Sequence, residues 1–259
     1  MHMFEPACVY TCLIGRYECL SRQPMAARSS IPFVCLTDDA ELSSSDWSIR
    51  QIEPEFADDP VRSQRLLKLL PHRHLPKFAV SLYIDNSVIL STPPEDILDR
   101  CLAESDFALP THSFRRTVQD EFTMVTKHAL DDPLTLSNQL AHYLATDPEV
   151  LRERPYWTGI MARRHGSAAA REALEAWAEQ VMRFSRRDQL SSNYAFRRVG
   201  FQPKRLDIDN YASAFHSWPH AFGRNEALRS FRAPPPMAWL RRPLRRLLAR
   251  AMSRLWKRA

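Results

Sequence analysis

The chain has 259 residues, 44% of them hydrophobic, which is enough for one large domain or two small ones with a sizeable core. Its formal charge of +6 is uneven: residues 241–259 hold eight Arg or Lys and no acid, so the rest of the chain is slightly acidic, which argues against a nucleic-acid-binding face. No run of about 18 apolar residues occurs, and the first dozen residues lack a basic leader and a small-residue cleavage site, so no membrane-spanning helix and no signal peptide is expected, and the cytoplasm is the expected compartment.

In chain order, ACVYTCLIG (7–15) and IPFVCLTDD (31–39) are apolar, rich in strand formers and closed by turn residues, so both predict parallel strands joined by a crossover. WSIRQIE (47–53) predicts a third strand, and a helix follows from Pro60 near its first turn to Leu70, closed by Pro71. SLYIDNSVIL (81–90) predicts a fourth strand, interrupted once by Asp85-Asn86-Ser87; PPEDILDRCLAES then predicts a short helix and DFALPTH another strand. After Arg115 the pattern turns helical, in TVQDEFTMVTKHAL and LSNQLAHYLAT. YWTGIMARR (156–164) predicts a short strand before a helix begun by Ser167, whose Leu174, Trp177, Val181 and Phe184 make one apolar stripe for core packing. Strands interleaved with helices predict an α/β fold with a mostly parallel sheet, whose ligands gather at the carboxyl ends of strands. The chain divides into a domain at 1–232 and, from 233 to 259, a Pro-rich linker and a basic amphipathic helix. Leu244, Leu247, Leu248, Met252 and Leu255 line one face of that helix, which suits an anionic membrane surface or a partner protein.

Five glycines form neither a GxGxxG nor a P-loop, so any bound phosphate must be held by side chains or a metal. Five cysteines without a CxxC pair suit buried reduced thiols rather than zinc or disulfides. Four polar clusters stand at strand or helix ends. Thr11, Gly15, Arg16 and Tyr17 with Thr37, Asp38 and Asp39 suit a nucleoside, or Asp38 and Asp39 merely cap a turn. Asp85-Asn86-Ser87 suits a hard divalent cation bridging phosphates, or a turn between strands. His112 to Arg116, with Asp120 and Glu121 beyond, suits an anion, or a surface ion pair between Arg116 and Asp120. Arg186, Arg187, Asp188 and Gln189 suit a sugar phosphate, or a solvated helix end. HSWPH lacks the glutamate of a zincin helix, and no GxSxG serine elbow occurs.

The order of these segments resembles that of GT-A glycosyltransferases of the glycogenin and galactosyltransferase type: YIDNS is similar to their YxDxD-type metal segment, TGIMARR to a later short strand, and RRDQLS to a DQ-containing segment. More closely, CVYTCLIGRYE, PFVCLTDD, RLLKLLPHRHLPKFAVSLYIDNS, HSFRR, GIMARRH and RRDQLSSNYAF resemble a hexosyltransferase-like family with plant Golgi and bacterial members, over roughly residues 6–222. The resemblance implies a GT-A-like, Rossmann-like sheet and transfer of a hexose-type sugar from a nucleotide sugar, a uridine diphosphate sugar being the expected donor, to a glycan or lipid-linked acceptor. It also implies a Mn²⁺ or Mg²⁺ ion on Asp85, with Ser87 in the place of the second aspartate and His112 or His165 as extra ligands. Lys68, Lys77, Arg115, Arg186 and Arg187 would then neutralise the diphosphate, with Asn86 and the Thr11, Gly15, Tyr17, Asp38 and Asp39 group also at the donor. Asp188 and Gln189 would sit by the sugar, and Asp188 or Glu121 would take the acceptor proton in an inverting enzyme. The basic tail would hold the protein on the inner face of the membrane. The alternatives are a ceramidase-like lipid amidase, through an association of the same family with ceramide hydrolysis, and a non-catalytic scaffold that binds nucleotide sugars.

Overall fold

The computed structural model describes residues 5–218; the linker and basic helix expected at 233–259 lie outside the described residues. The first two apolar segments form β1 (Ala7–Leu13) and β2 (Phe33–Thr37), and the crossover between them is a single 3-10 turn at Pro24–Arg28. β3 (Ser48–Gln51) and α1 (Pro60–Leu69) follow, the helix capped by the Asp59 side chain on the Arg62 amide and ended before Pro71, which opens the one-turn α2 (Pro71–His74). The interrupted fourth strand is two strands, β4 (Val80–Ile84) and β5 (Ile89–Leu90), with Asp85 at the break. Next come α3 (Pro94–Leu102), β6 (Phe107–Pro110), α4 (Val118–Lys127), α5 (Pro133–Thr146), β7 (Ile160–Arg164) and α6 (Ala168–Arg183), the last capped by Ser167 on the Ala170 amide. Besides α2, three later elements have no counterpart in the sequence reading: α7 (Ser192–Arg198), β8 (Lys204–Leu206) and β9 (His216–Ser217).

Seven strands make one sheet in the order β3-β2-β1-β4-β7-β6-β8, and β5 pairs with β9 in a separate two-stranded sheet. The large sheet is parallel except at β7, which runs against both of its neighbours, β4 and β6. The mostly parallel α/β sheet flanked by helices is therefore present, with one reversed strand, β7, next to its central strand β4.

Both faces are covered, so the strands alternate between two cores. Cys8, Tyr10 and Cys12 of β1 face a core with Val34, Tyr83, Met161 and Phe107, closed by Leu67 of α1 and Leu174 and Trp177 of α6. Val9 and Leu13 face the other core, with Phe33, Leu82, Ile160, Trp47 and α3 residues Ile97 and Leu98. The apolar stripe of α6 is thus core packing, as its spacing implies. A third core, built on Phe122, Leu140 and Tyr143, joins α4 and α5 to Leu190 and Tyr194. Four of the five cysteines are buried, and burial pushes the Cys8 and Cys35 thiols up to about 12; Cys19 is exposed. No helix among the described residues is long and apolar enough to cross a membrane.

Candidate active site

β4 stops at Asp85 because its last in-register partner on β7 is Ile160; beyond it the Asp85 amide donates to the Gly159 carbonyl at 2.9 Å, where the chain of β7 enters the sheet. That places Asp85 beside the Trp157-Thr158-Gly159 turn at the carboxyl edge of the parallel strands, the edge where α/β sheets bind ligands. The carboxylate that breaks the apolar run is partnered: Tyr83 donates its hydroxyl to Asp85 Oδ1 at 2.7 Å, and Lys68 Nζ lies 3.3 Å from the same oxygen.

Lys68 is the hub. It ends α1 with its side chain 1% exposed, and its three ammonium donors meet three acceptors: Asp188 Oδ2 at 2.8 Å, Thr158 Oγ1 at 3.1 Å and Asp85. A buried ammonium is tolerable only with such partners. Its backbone is fixed from below, because the Lys68 carbonyl accepts the Tyr10 hydroxyl at 2.7 Å and the guanidinium of the fully buried Arg163 at 2.8 Å. Asp188 also receives Thr158 at 3.2 Å and faces Arg65 Nε at 3.7 Å, while its carbonyl takes the Trp177 indole N–H at 2.9 Å. Burial alone would raise the Asp188 carboxyl, but the Arg65 and Lys68 cations outweigh it and hold the group well below the usual carboxylate range. Burial opposes the charge of Arg65 in turn, and Asp188, Tyr83, Asp85 and Tyr17 more than restore it.

Arg187 stands at the edge of this group, close enough to feel Arg65, Asp188, Glu121 and Asp85. Glu121, on the first turn of α4, accepts Arg115 Nε at 3.0 Å and lies 3.9 Å from His112 Nε2. Burial, then Arg115 and Arg154, lower His112 to about 3, so it is a neutral imidazole at pH 7. The structure thus brings Lys68, Asp85, Asp188, Arg187, Glu121, Arg115, His112 and Tyr17 to one edge of the sheet. Gln189 adjoins, its amide bonded to Asp188 Oδ1 at 3.1 Å.

Other expected site residues are engaged elsewhere. Thr11 lies inside β1 opposite Cys35, fully buried, and cannot touch a bound nucleoside. Asp38 accepts the Gly15 amide through both oxygens, at 3.0 and 3.1 Å, and Asp39 pairs with Arg16 at 2.8 Å, so both tie a turn, the alternative reading of that cluster. Asn86 holds the preceding loop, accepting the Ser21 amide and donating to the Cys19 carbonyl, each at 2.8 Å. Lys77 is exposed before β4, at the opposite end of that strand from Asp85, and His165 bonds Ser81 at 2.9 Å on the same far side. Arg186 turns away from Asp188 towards Asp131 at 3.5 Å and Asp59 at 3.9 Å. Arg116 makes no side-chain pair with Asp120; the Arg116 amide donates to it at 3.1 Å instead. Arg65, Thr158 and Arg163 were missed, although Arg65 stands three residues before Lys68, the spacing that puts two side chains on one helical face.

The donor set decides whether the edge suits Mn²⁺ or Mg²⁺, which want several oxygen ligands of low or negative charge. Asp85 Oδ1 is taken by Tyr83 and Lys68, Ser87 Oγ accepts the Trp218 indole N–H at 2.9 Å, and His112 follows β6, two strand spacings or about 10 Å from β4. A dication here would have one free carboxylate oxygen and stand beside Lys68 and Arg65. The described residues at this edge do not fit a divalent metal.

A family model described as TOD1/MUCI70, glycosyltransferase-like domain, matches residues 37–213, a span that includes Arg65, Lys68, Asp85 and Asp188. No curated protein matches the sequence. Among solved structures, the chain is similar to the apo form of the bifunctional glycosyltransferase WbbM, at 8% identity and a TM-score of 0.44, over 80% of this chain and 39% of that one. It is also similar to apo mouse xyloside xylosyltransferase 1, at 10% identity and a TM-score of 0.46, over 78% of this chain and 85% of that one. The chain therefore spans well under half the length of the WbbM protein.

Proposed function

Because the chain belongs to the TOD1/MUCI70 glycosyltransferase-like family, we propose that it transfers a hexose-type sugar from a nucleoside diphosphate sugar, with uridine as the base, to a glycan or lipid-linked acceptor. The observation that carries this reading is the Arg65, Lys68 and Arg187 group set around Asp85 and Asp188 at the carboxyl edge of the sheet. Departure of a diphosphate from an oxocarbenium-like sugar leaves charge on the phosphates, and cations fixed before the reaction stabilise that charge most where water is excluded. Asp188, held ionised by two cations, is a weak base; its role is to anchor Lys68 and Arg65 in place. Glu121 is the carboxylate we place towards the acceptor, with Gln189 by the transferred sugar and Tyr17 by the nucleoside. The basic segment at 241–259 would keep the protein on the inner face of an anionic membrane, beside a lipid-linked acceptor.

The test is release of nucleoside diphosphate from a panel of uridine and guanosine diphosphate sugars. Release confined to one donor series, and lowered about 100-fold or more in Asp85→Asn, is the expected result. No release with any donor, together with fatty acid freed from ceramide, would replace this reading with a lipid amidase.

A further inference from the structure

Arg187 adjoins Asp188 yet has no ion pair among the described residues. Its Nε is buried with no hydrogen-bond partner among the described residues. Burial and the neighbouring Arg65 guanidinium weaken its hold on its charge, and Asp188, Glu121 and Asp85 offset this only in part. An Nε–H enclosed in this way is costly to keep, because it forgoes its hydration without gaining a partner. Lys68 cannot be the direct ligand of an anion, since its three donors are already spent on Asp188, Thr158 and Asp85. Arg65 is partly spent, on the Arg186 carbonyl at 3.2 Å and on Gln64. An anion seated against Arg187 would satisfy the buried Nε together with a neighbouring Nη in bidentate fashion and separate Arg187 from Arg65. The edge that fails as a metal site is therefore built for an anion.

Resting on the glycosyltransferase reading, we infer that the donor diphosphate is held directly by Arg187, with Arg65 and Lys68 adding charge, and with no divalent cation between protein and phosphate. The side chains then do at this edge what a dication on two aspartates would do. Two consequences follow from the same residue. Arg187 favours the bound state and burdens the empty one, so replacing it should tighten the unliganded fold and weaken the anion.

Titration calorimetry with uridine diphosphate, in EDTA and then in Mn²⁺, tests this on the full chain. The expected affinities agree within about threefold between the two conditions, and in EDTA Arg187→Met binds about tenfold or more weakly while its unliganded melting temperature rises. Arg187→Lys keeps the charge without the fork and is expected to lose most of the same affinity, which holds the test open should the methionine variant not fold. Full affinity in both variants overturns the assignment of Arg187. Binding seen only with Mn²⁺ overturns the metal-free inference and leaves the glycosyltransferase reading standing. Silence in both conditions counts against that reading itself.

Discussion

His112 is where mild acid should first be felt. An unfolded histidine takes a proton near 6.5, whereas His112 in the fold is lowered to about 3 by burial and by Arg115 and Arg154, so the unfolded chain binds more protons in between. The stability it contributes is complete above pH 6.5 and is lost as pH falls towards 3, about 2 kcal/mol of it by pH 5. His165, lowered to about 4, adds to the same loss, and Asp188 adds to it only below its ordinary value of 3.8. Urea midpoints at pH 7 and pH 5 should therefore draw closer in His112→Leu than in the parent chain; an unchanged gap would remove His112 from the account. Lys68 offers a second check at this scale. Lys68→Met leaves Asp188 and Asp85 without their shared ammonium and should cost about 3–5 kcal/mol in chemical denaturation, a loss that Asp188→Asn in the same chain partly recovers. That these residues meet was partly legible beforehand. Asp85 stood out as a carboxylate in an apolar run, and Asp188 and Arg187 as a pair in a charged segment. Arg186 and Arg187 read alike in the sequence, and only the backbone direction sends one to Asp131 and the other to the site.

At the scale of elements, Gly15 shows how the edge is shaped. It follows β1 with φ +80°, a conformation that side chains disfavour, and a Cβ added there would stand 2.8 Å from Pro60 Cβ at the start of α1. Gly15→Ala should cost about 1–3 kcal/mol by urea unfolding, because both the backbone and Pro60 must move; a neutral substitution would show that α1 is not seated against that turn. The buried strands β1, β2, β4, β6 and β7 were readable because each is apolar and bounded by turn residues, as in VCLTDD and LYIDNS. The reversal of β7 was not readable, since a strand buried on both faces has the same composition in either direction. β5 and β9, two residues each, carry no period to detect. The position of α1 was legible from its prolines, and the family resemblance marked Lys68 for the diphosphate; Arg65 looks like an ordinary surface residue of a helix until it is seen to face Asp188 beside Lys68.

At the scale of the whole molecule, the proposal gives donor binding to the slightly acidic body and surface binding to the basic tail. Removing residues 241–259 should release the protein from vesicles of anionic lipid while leaving its affinity for uridine diphosphate unchanged, as read by co-sedimentation and calorimetry. Binding to vesicles that survives the deletion would place the membrane contact elsewhere. The strand order has a further consequence, for the time at which the protein is made. β7 sits between β4 and β6 yet is synthesised after both. From the moment β4 leaves the ribosome, one side of it has no neighbour until residues 160–164 follow, a delay on the order of 10 s at ordinary rates of translation. During that interval the newborn chain presents an open, apolar strand edge with Asp85 at its tip and no Asp188 yet in existence to share Lys68. An inner seam of the finished sheet thus closes long after its first edge is made, and the nascent chain most needs shelter from other chains while that seam is open.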